Sequence, residues 1–320
     1  MVSGTVSIEG DVKITQTDFT IRAGVLEKYN GSDIDVVIPD NVVAIGAHAF
    51  ENCTGLRSII FPESVIEIGE CAFFCCTKLK DVSITDSIKV IGKFAFANCE
   101  NLLEIALPSG VKCIDNGTFS GCKKLQKLLL PKSLTHIGNS AFQQCTSLIS
   151  IMIPDNVFSI GECAFSGCTL LRSIRIPAWV EEINDNTFSG CTSLEAVFLP
   201  NSLQYIRTAA FCNCKKLINI NIPDSVMLID NRAFYECTGL RTITFPVNLR
   251  HIGVYAYKNC TGLECIMFSG KLANIHDGAF ENCTSLEKII FPSGAEYIDE
   301  RGFINCRNVV DIIAPSDYFY

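Results

Sequence analysis

The stretch LRSIRIPAWVEEINDNTFSGC (Leu171–Cys191) decides the fold, because its pattern recurs every 23 residues along the chain. All 11 prolines of the 320-residue sequence share one phase of this period. They stand at positions 39, 62, 108, 131, 154, 177, 200, 223, 246, 292 and 315, and Thr85 and Ser269 occupy the two skipped proline positions. Self-similarity at a fixed period of roughly 20 to 50 residues is typical of stacked repeats. The sequence therefore predicts a solenoid.

Each repeat is numbered from its proline, which is position 0, and one repeat forms one coil. Position 6 is Ile and position 14 is Cys in all twelve copies. Position 11 is Phe in eleven copies and Tyr257 in the other, and position 17 is Leu in eleven. One such unit cannot bury its own apolar face, whereas stacked units bury it continuously. These positions are therefore predicted to form the core.

The repeat also predicts the local structure of one coil. Apolar positions 20 and 22 alternate with polar neighbours and end at proline, which indicates a short strand. Position 7 is Gly in six copies and Asp or Asn in four, which predicts a bend in the left-handed region. Positions 10, 11 and 14 carry a small residue, an aromatic and Cys, a spacing that fits one inward-facing helical turn. At about 4.8 Å per coil, twelve coils would extend roughly 58 Å.

The consensus LxxIxIPxxVxxIGxxAFxxCxx resembles the BspA-type leucine-rich repeat over residues 33–315. The resemblance implies a β-rich α/β repeat solenoid, a right-handed leucine-rich-repeat superhelix with a parallel sheet on one face and short helical turns elsewhere. The family is found mainly in bacteria and some protists, and its known members tend to be surface proteins that bind host or matrix proteins. The resemblance therefore implies adhesion or another cell-surface interaction, although the sequence shows no signal peptide, wall anchor or linker.

The two ends of the chain differ from the repeat. Residues 1–32 fall outside the period and are predicted to form an N-terminal β cap, because a solenoid end exposes core side chains. Within this segment, Phe19–Arg22 and Val25–Tyr29 alternate like two strands, and Asn30-Gly31 supplies a turn.

About twelve repeats fill residues 33–315, and residues 316–320 form a tail or partial cap. Either the aromatic side chains of this tail fold over the last coil, or the end is open and invites self-association.

Composition and charge exclude several classes of partner. The net charge is −8 with a pI of about 5.1, and no cluster of Lys and Arg marks a nucleic-acid footprint. No stretch approaches 18 consecutive apolar residues, so we expect no membrane insertion. No apolar run follows a basic start, which favours the cytoplasm, whereas the family resemblance favours a surface or secreted location.

The 18 cysteines raise the question of a metal site or a disulfide framework. Twelve of them repeat at position 14, one per coil, among Phe and Leu, and a small buried hydrophobe explains that position. Equivalent thiols in a line offer no unique pairing and no converging ligand set. Cys113 and His136 share position 5 on neighbouring coils, but two ligands do not make a zinc site. We expect free buried thiols, with no metal and no cofactor.

Catalysis is limited by the four histidines, which lie at different positions or several coils apart and are expected to be far from one another. His276 and Asp299 share position 7 on neighbouring coils and could form a hydrogen-bonded pair. The sequence contains no GxGxxG, GxSxG, HExxH or P-loop pattern. We therefore predict no catalytic residues and no enzymatic activity.

Position 21 lies between two inward residues of the strand and must point outward. From coil to coil it is Val37, Ile60, Ser83, Ala106, Leu129, Met152, Arg175, Phe198, Asn221, Thr244, Met267, Ile290 and Ile313. Exposed contiguous apolar surface often marks a binding site, although β-propensity alone also favours such residues.

A cluster of Met152, Arg175, Trp179 and Phe198 is the candidate protein-binding patch, because aromatic residues, Met and Arg are enriched in interface cores. Trp179, the single Trp of the chain, stands at position 2, on the turn after Arg175, and could equally lie on that turn without function. The sequence thus predicts a non-enzymatic scaffold that binds a protein or peptide through its sheet face. The alternative is a structural rod that self-associates end to end.

Overall fold

The structure, a computed structural model, describes residues 18–270, 274–291 and 300–313. It is a β-solenoid in which each coil contributes up to two short strands to parallel ladders. The front ladder is formed by positions 19–21 of successive coils, and the side ladder by positions 5 and 6. Partners are 23 residues apart, as in the pairs Arg175 with Phe198 and Glu182 with Tyr205. Equivalent positions of neighbouring coils therefore stack directly on each other.

The front ladder is interrupted, with sheets of three, two, two and four strands. At Ser150 the coil makes a single bridge to Ser173 instead of a strand. The strands of the front ladder are Asp35–Val37, Ser58–Ile60, Asp81–Ser83, Glu104–Ala106, Lys127–Leu129, Ser173–Arg175, Ala196–Phe198, Thr242–Phe245, Cys265–Phe268, Lys288–Ile290 and Asp311–Ile313.

The side ladder is a second parallel ladder, divided into sheets of five, three and five strands, that the sequence analysis did not predict. Position 6 was expected only to precede a bend, yet with position 5 it pairs from coil to coil. The strands of the side ladder are Ala44–Ile45, Glu67–Ile68, Val90–Ile91, Cys113–Ile114, His136–Ile137, Ser159–Ile160, Glu182–Ile183, Tyr205–Ile206, Leu228–Ile229, His251–Ile252 and Asn274–Ile275.

An antiparallel hairpin precedes the first coil. Its strands are Phe19–Arg22 and Val25–Tyr29, as predicted, and the second strand continues in parallel into the side ladder. The turn of the hairpin is Ala23-Gly24, with φ of 48° and 77°, and not Asn30-Gly31. Two residues of positive φ match the twist of a two-residue hairpin loop, which explains the difference.

The core is a continuous stack of aromatic rings at position 11. Phe142 is fully buried, and its ring centroid lies 5.8 Å from that of Phe119 and 5.3 Å from that of Phe165. The stack extends into the hairpin, where Tyr29 packs on Phe50 at 5.0 Å. Position 11 therefore faces inward, as the sequence predicts.

The predicted helical turn at positions 10–14 is wrong, because this segment is a series of tight turns. Cys145 N donates to Phe142 O within the coil at 3.1 Å, whereas Phe142 N donates to Ala164 O of the next coil at 2.8 Å. Successive amides alternate between these two directions. Ser140 and Gln144 have φ of 55° and 60°, and residues of left-handed conformation at positions 9 and 13 prevent a helix. A 3₁₀ helix at Glu300–Phe303 is a short exception.

The glycines of position 7 are also explained differently from the prediction. They do not adopt positive φ, which occurs at positions 9 and 13 instead. A Cβ on Gly69 would lie 2.8 Å from Ala47 N and 2.9 Å from the carbonyl carbon of Gly46. At Gly69, glycine is therefore explained by the close approach of the backbones of adjacent coils.

Candidate binding surfaces

The position-14 cysteines are structural thiols. All 18 cysteines lie in the described part of the chain and are unpaired there. Cys145 Sγ donates to Phe119 O of the preceding coil at 3.2 Å, and the same bond recurs along the stack. Burial raises the pKa of Cys145 well above its usual value, so this thiol stays protonated and unreactive. The hydrogen bond adds a reason for Cys, beyond its size, that the sequence could not show.

Cys113 and His136 are register partners on the side ladder, as their shared position predicts. His136 Nδ1 lies 2.8 Å from Thr135 Oγ1, and the ring of His136 packs edge-on against Phe158 with centroids 4.3 Å apart. Over the described ranges, no group of three or more His, Cys, Asp or Glu side chains could hold a metal ion.

Two histidines expected to be far apart are neighbours. The ring centroids of His251 and His276 lie 6.1 Å apart, because position 5 of one coil adjoins position 7 of the next. His48 instead contacts Glu51 within its own coil, at 2.8 Å. Asp299, the expected partner of His276, lies outside the described residues.

The front row consists of the position-21 side chains Leu129, Met152, Arg175 and Phe198. Met152 is 87% exposed and Phe198 is 62% exposed, which is unusual for such large apolar side chains. Arg175 lies beside Phe198 in the ladder, and its guanidinium lies 3.5 Å from the carboxylate of Asp155. Asp155 therefore belongs to this surface. The front row brings together three of the four residues predicted from the sequence.

A shallow hollow, the front depression, adjoins the front row over the preceding coils. It has a volume of about 370 Å³ and is lined by residues of positions 18–21 from four successive coils. Ser83 and Ala106 form its floor because they are the small members of position 21, between Ile60 and Leu129. Ion pairs lie on its rim, including Lys127 with Glu104 at 3.5 Å. Two consecutive small residues at position 21 were the sequence signal for this hollow, and it was missed.

Trp179 lines a hollow to which the front row does not contribute. It is 70% exposed and lines a second hollow, the side depression, of about 320 Å³, together with Phe158, Glu181 and Glu182. No residue of the front row lines this hollow. The four-residue patch remains a prediction, and Phe158, which sequence reasoning did not single out, lines the same hollow as Trp179.

Comparison with protein families identifies the class of protein. The model of the BspA type leucine rich repeat region (6 copies) matches residues 27–149, 90–218, 135–264 and 204–319. The chain belongs to this family of leucine-rich repeat proteins. Comparison with curated proteins gives no match.

Similar solved structures are bacterial leucine-rich repeat proteins. One from Bacteroides ovatus is 27% identical, with a TM-score of 0.65, and the alignment covers 95% of this chain and 86% of that chain. A leucine rich cell surface protein from Faecalibacterium prausnitzii is 26% identical, with a TM-score of 0.54 and 94% of each chain covered. The pneumococcal vaccine antigen PcpA is 20% identical, with a TM-score of 0.58, 94% of this chain and 93% of that one covered, and it supports the fold alone.

The described residues also bear on membrane contact. They contain no helix of the length and apolar character that crossing a bilayer requires.

Proposed function

We propose that this protein is a non-enzymatic scaffold that binds a protein or peptide along the front row and the front depression. The exposure of Met152 and Phe198 carries the proposal, because both side chains stand outside a core that is complete without them. They stand on either side of Arg175 along the row, and exposed Met, Arg and aromatic side chains are the residue types enriched in interface cores.

The shape of the surface supports a peptide or protein ligand. Leu129 lines the front depression and also belongs to the front row, so the hollow and the row of exposed side chains follow each other along one face. Charged pairs such as Lys127 with Glu104 flank the hollow and supply a polar rim. An apolar centre with a polar rim is the usual anatomy of a protein interface.

Family membership supports the same role. Leucine-rich repeat proteins are typically binding proteins without catalytic activity, and the relative from Faecalibacterium prausnitzii is described as a cell surface protein. We extend adhesion or another cell-surface interaction to this chain as part of the proposal.

Peptide display on the parent protein tests the proposal. Peptides that bind the parent are selected from a display library. Their affinities for the parent and for a Met152→Ser/Phe198→Ser variant are then measured by titration. We expect affinity to fall about thirtyfold, which corresponds to about 2 kcal/mol, because hot spots of an interface centre on such side chains.

Phe158→Ser is the matched control, because Phe158 is a half-exposed aromatic residue on the side ladder. It should leave the affinity of the selected peptides unchanged. Peptides that bind the Met152→Ser/Phe198→Ser variant as tightly as the parent would contradict the proposal.

A further inference from the structure

The side depression is open because two short residues replace a long ion pair of the neighbouring coil. In that coil, Arg207 at position 7 pairs with Glu182 at position 5 of the coil before it, with Nε and Oε2 2.9 Å apart. One coil earlier, the same two positions hold Asn184 and Ser159, and both residues line the hollow. The space that an arginine and its carboxylate fill in one coil is therefore empty in the other.

Two aromatic side chains border this space. Trp179 is largely exposed and Phe158 is half-exposed. The ring of Phe158 is supported from the opposite side by His136, with centroids 4.3 Å apart and planes at 70°. The Nδ1 atom of His136 in turn lies 2.8 Å from Oγ1 of Thr135, within hydrogen-bond distance. Phe158 is therefore positioned before any ligand arrives.

The charge of the hollow is negative. Glu182 is neutralised by Arg207, but Glu181, which is exposed, forms no ion pair within the described ranges. Glu181, Trp179 and Phe158 thus line one unfilled volume. Aromatic faces next to a carboxylate attract cations, and arginine can stack on a ring while pairing with a carboxylate.

We propose that the side depression binds the guanidinium of an arginine side chain in a basic segment of a protein partner. The neighbouring coil contains this arrangement internally, because the guanidinium of Arg207 lies 4.4 Å from the ring centroid of Tyr205 while it pairs with Glu182. The net charge of −8 favours the approach of such a segment. This site is on the side ladder, so it does not depend on the function proposed for the front row.

The single Trp of the chain makes the test direct. Its indole ¹H–¹⁵N signal is the one indole resonance of the protein, and it reports on Trp179 alone. The probe is acetyl-Gly-Gly-Arg-Gly-Gly-amide, titrated into the full chain at low salt. We expect a saturable shift of the indole resonance, absent with the citrulline peptide of the same shape, and weakened when the NaCl concentration is raised tenfold.

Variants then assign the binding to individual side chains. Glu181→Gln and Phe158→Leu should each weaken the arginine peptide roughly threefold to tenfold, the range expected for one cation–π or ion-pair contact. Glu195→Gln removes the same charge at another exposed site, and Phe94→Leu changes an exposed aromatic residue that lines neither hollow. Both controls should bind the peptide like the parent.

Three results would overturn the proposal. The first is an equal shift with the arginine and citrulline peptides, and the second is unchanged affinity in Glu181→Gln. The third is a shift of the indole resonance with a neutral disaccharide but none with the arginine peptide, which would make the hollow a sugar-binding site. The Met152→Ser/Phe198→Ser variant could lose the peptides selected by display and still bind the arginine peptide. That result would concern the front row alone.

Discussion

Tyr257 shows what one added oxygen does inside the aromatic stack. It occupies position 11, where the other copies have Phe, and its ring packs between Phe234 at 4.9 Å and Phe280 at 5.2 Å. The hydroxyl is buried and has no hydrogen-bond partner in the described structure. Burial raises the pKa of Tyr257 well above its ordinary value. A buried donor without a partner destabilises a fold by about 1–3 kcal/mol.

Tyr257→Phe should therefore increase the free energy of unfolding by about 1 kcal/mol, since it removes the unpaired hydroxyl and keeps the ring. Urea denaturation measures the effect. Tyr235→Phe is the control, because the hydroxyl of Tyr235 accepts a bond from Asn259 at 3.3 Å and should not gain stability when it is removed. A Tyr257→Phe variant less stable than the parent would show that the hydroxyl has a partner.

At the scale of the element, the spacing of the side ladder depends on position 7. At Gly69 the backbone passes so close to the preceding coil that a Cβ would meet Ala47 N and Gly46 C. Side-chain atoms can rotate away from a new methyl group, but paired backbones cannot move apart without breaking the ladder.

Gly69→Ala should cost about 1–3 kcal/mol, because it overpacks a rigid contact. Gly55→Ala is the matched control, since a Cβ at Gly55 meets nothing within 4 Å. Thermal or urea unfolding of the two variants compares them directly. Equal stability of both variants would mean that adjacent coils can separate at low cost.

At the scale of the whole molecule, the buried thiols of position 14 form a line of groups that must remain neutral. Cys306, which is only partly buried, is an exception, because its hydrogen bond with Cys283 lowers its pKa. Burial raises the pKa of Cys99, Cys122 and Cys168 well above the usual value, and that of Cys191 to about 12. Below the unfolded pKa, about 8.5, both states keep their protons and the full stability is present. Above it, thiols of the unfolded chain ionise while those of the fold stay protonated, so the unfolded state binds fewer protons and stability falls.

The free energy of unfolding should therefore fall between about pH 8.5 and 10, by up to about 1.4 kcal/mol per pH unit for each buried thiol, and the urea midpoint should fall with it. A Cys122→Ala/Cys145→Ala/Cys168→Ala variant should show a shallower decline, because three of these groups are gone. An unchanged midpoint at pH 10 would indicate that the thiols are accessible or already ionised.

Mass spectrometry of the alkylated, unfolded protein should find all 18 thiols free.

The N-terminal hairpin bears on self-association. Strand Phe19–Arg22 runs antiparallel to Val25–Tyr29, so it ends the parallel order of the side ladder. A second solenoid stacked on this end would meet an antiparallel strand and not a continuation of the parallel side ladder. We expect a sedimentation coefficient independent of concentration. Reversible growth with concentration would instead favour the end-to-end rod.

The sequence by itself determined the period, the inward positions and the two strands of the hairpin. Whether an apolar side chain is buried depends on its position within one repeat. Twelve copies with the same residue type at a position therefore give the same indication twelve times. For the same reason position 11 and position 14 were predicted to face inward, and Phe142 and Cys145 do.

Only the tertiary structure decided which side chains of different coils meet. Trp179 lies beside Phe158, and His251 beside His276, because stacking brings together residues about 21 to 25 apart at different repeat positions. The prediction of a helical turn was wrong for a related reason. Alternate amides donate to carbonyl groups of the next coil, and the sequence of one repeat gives no information on where those carbonyl groups lie. The hollows arise likewise from small residues on successive coils, so their shape depends on contacts between repeats and not on the pattern within one.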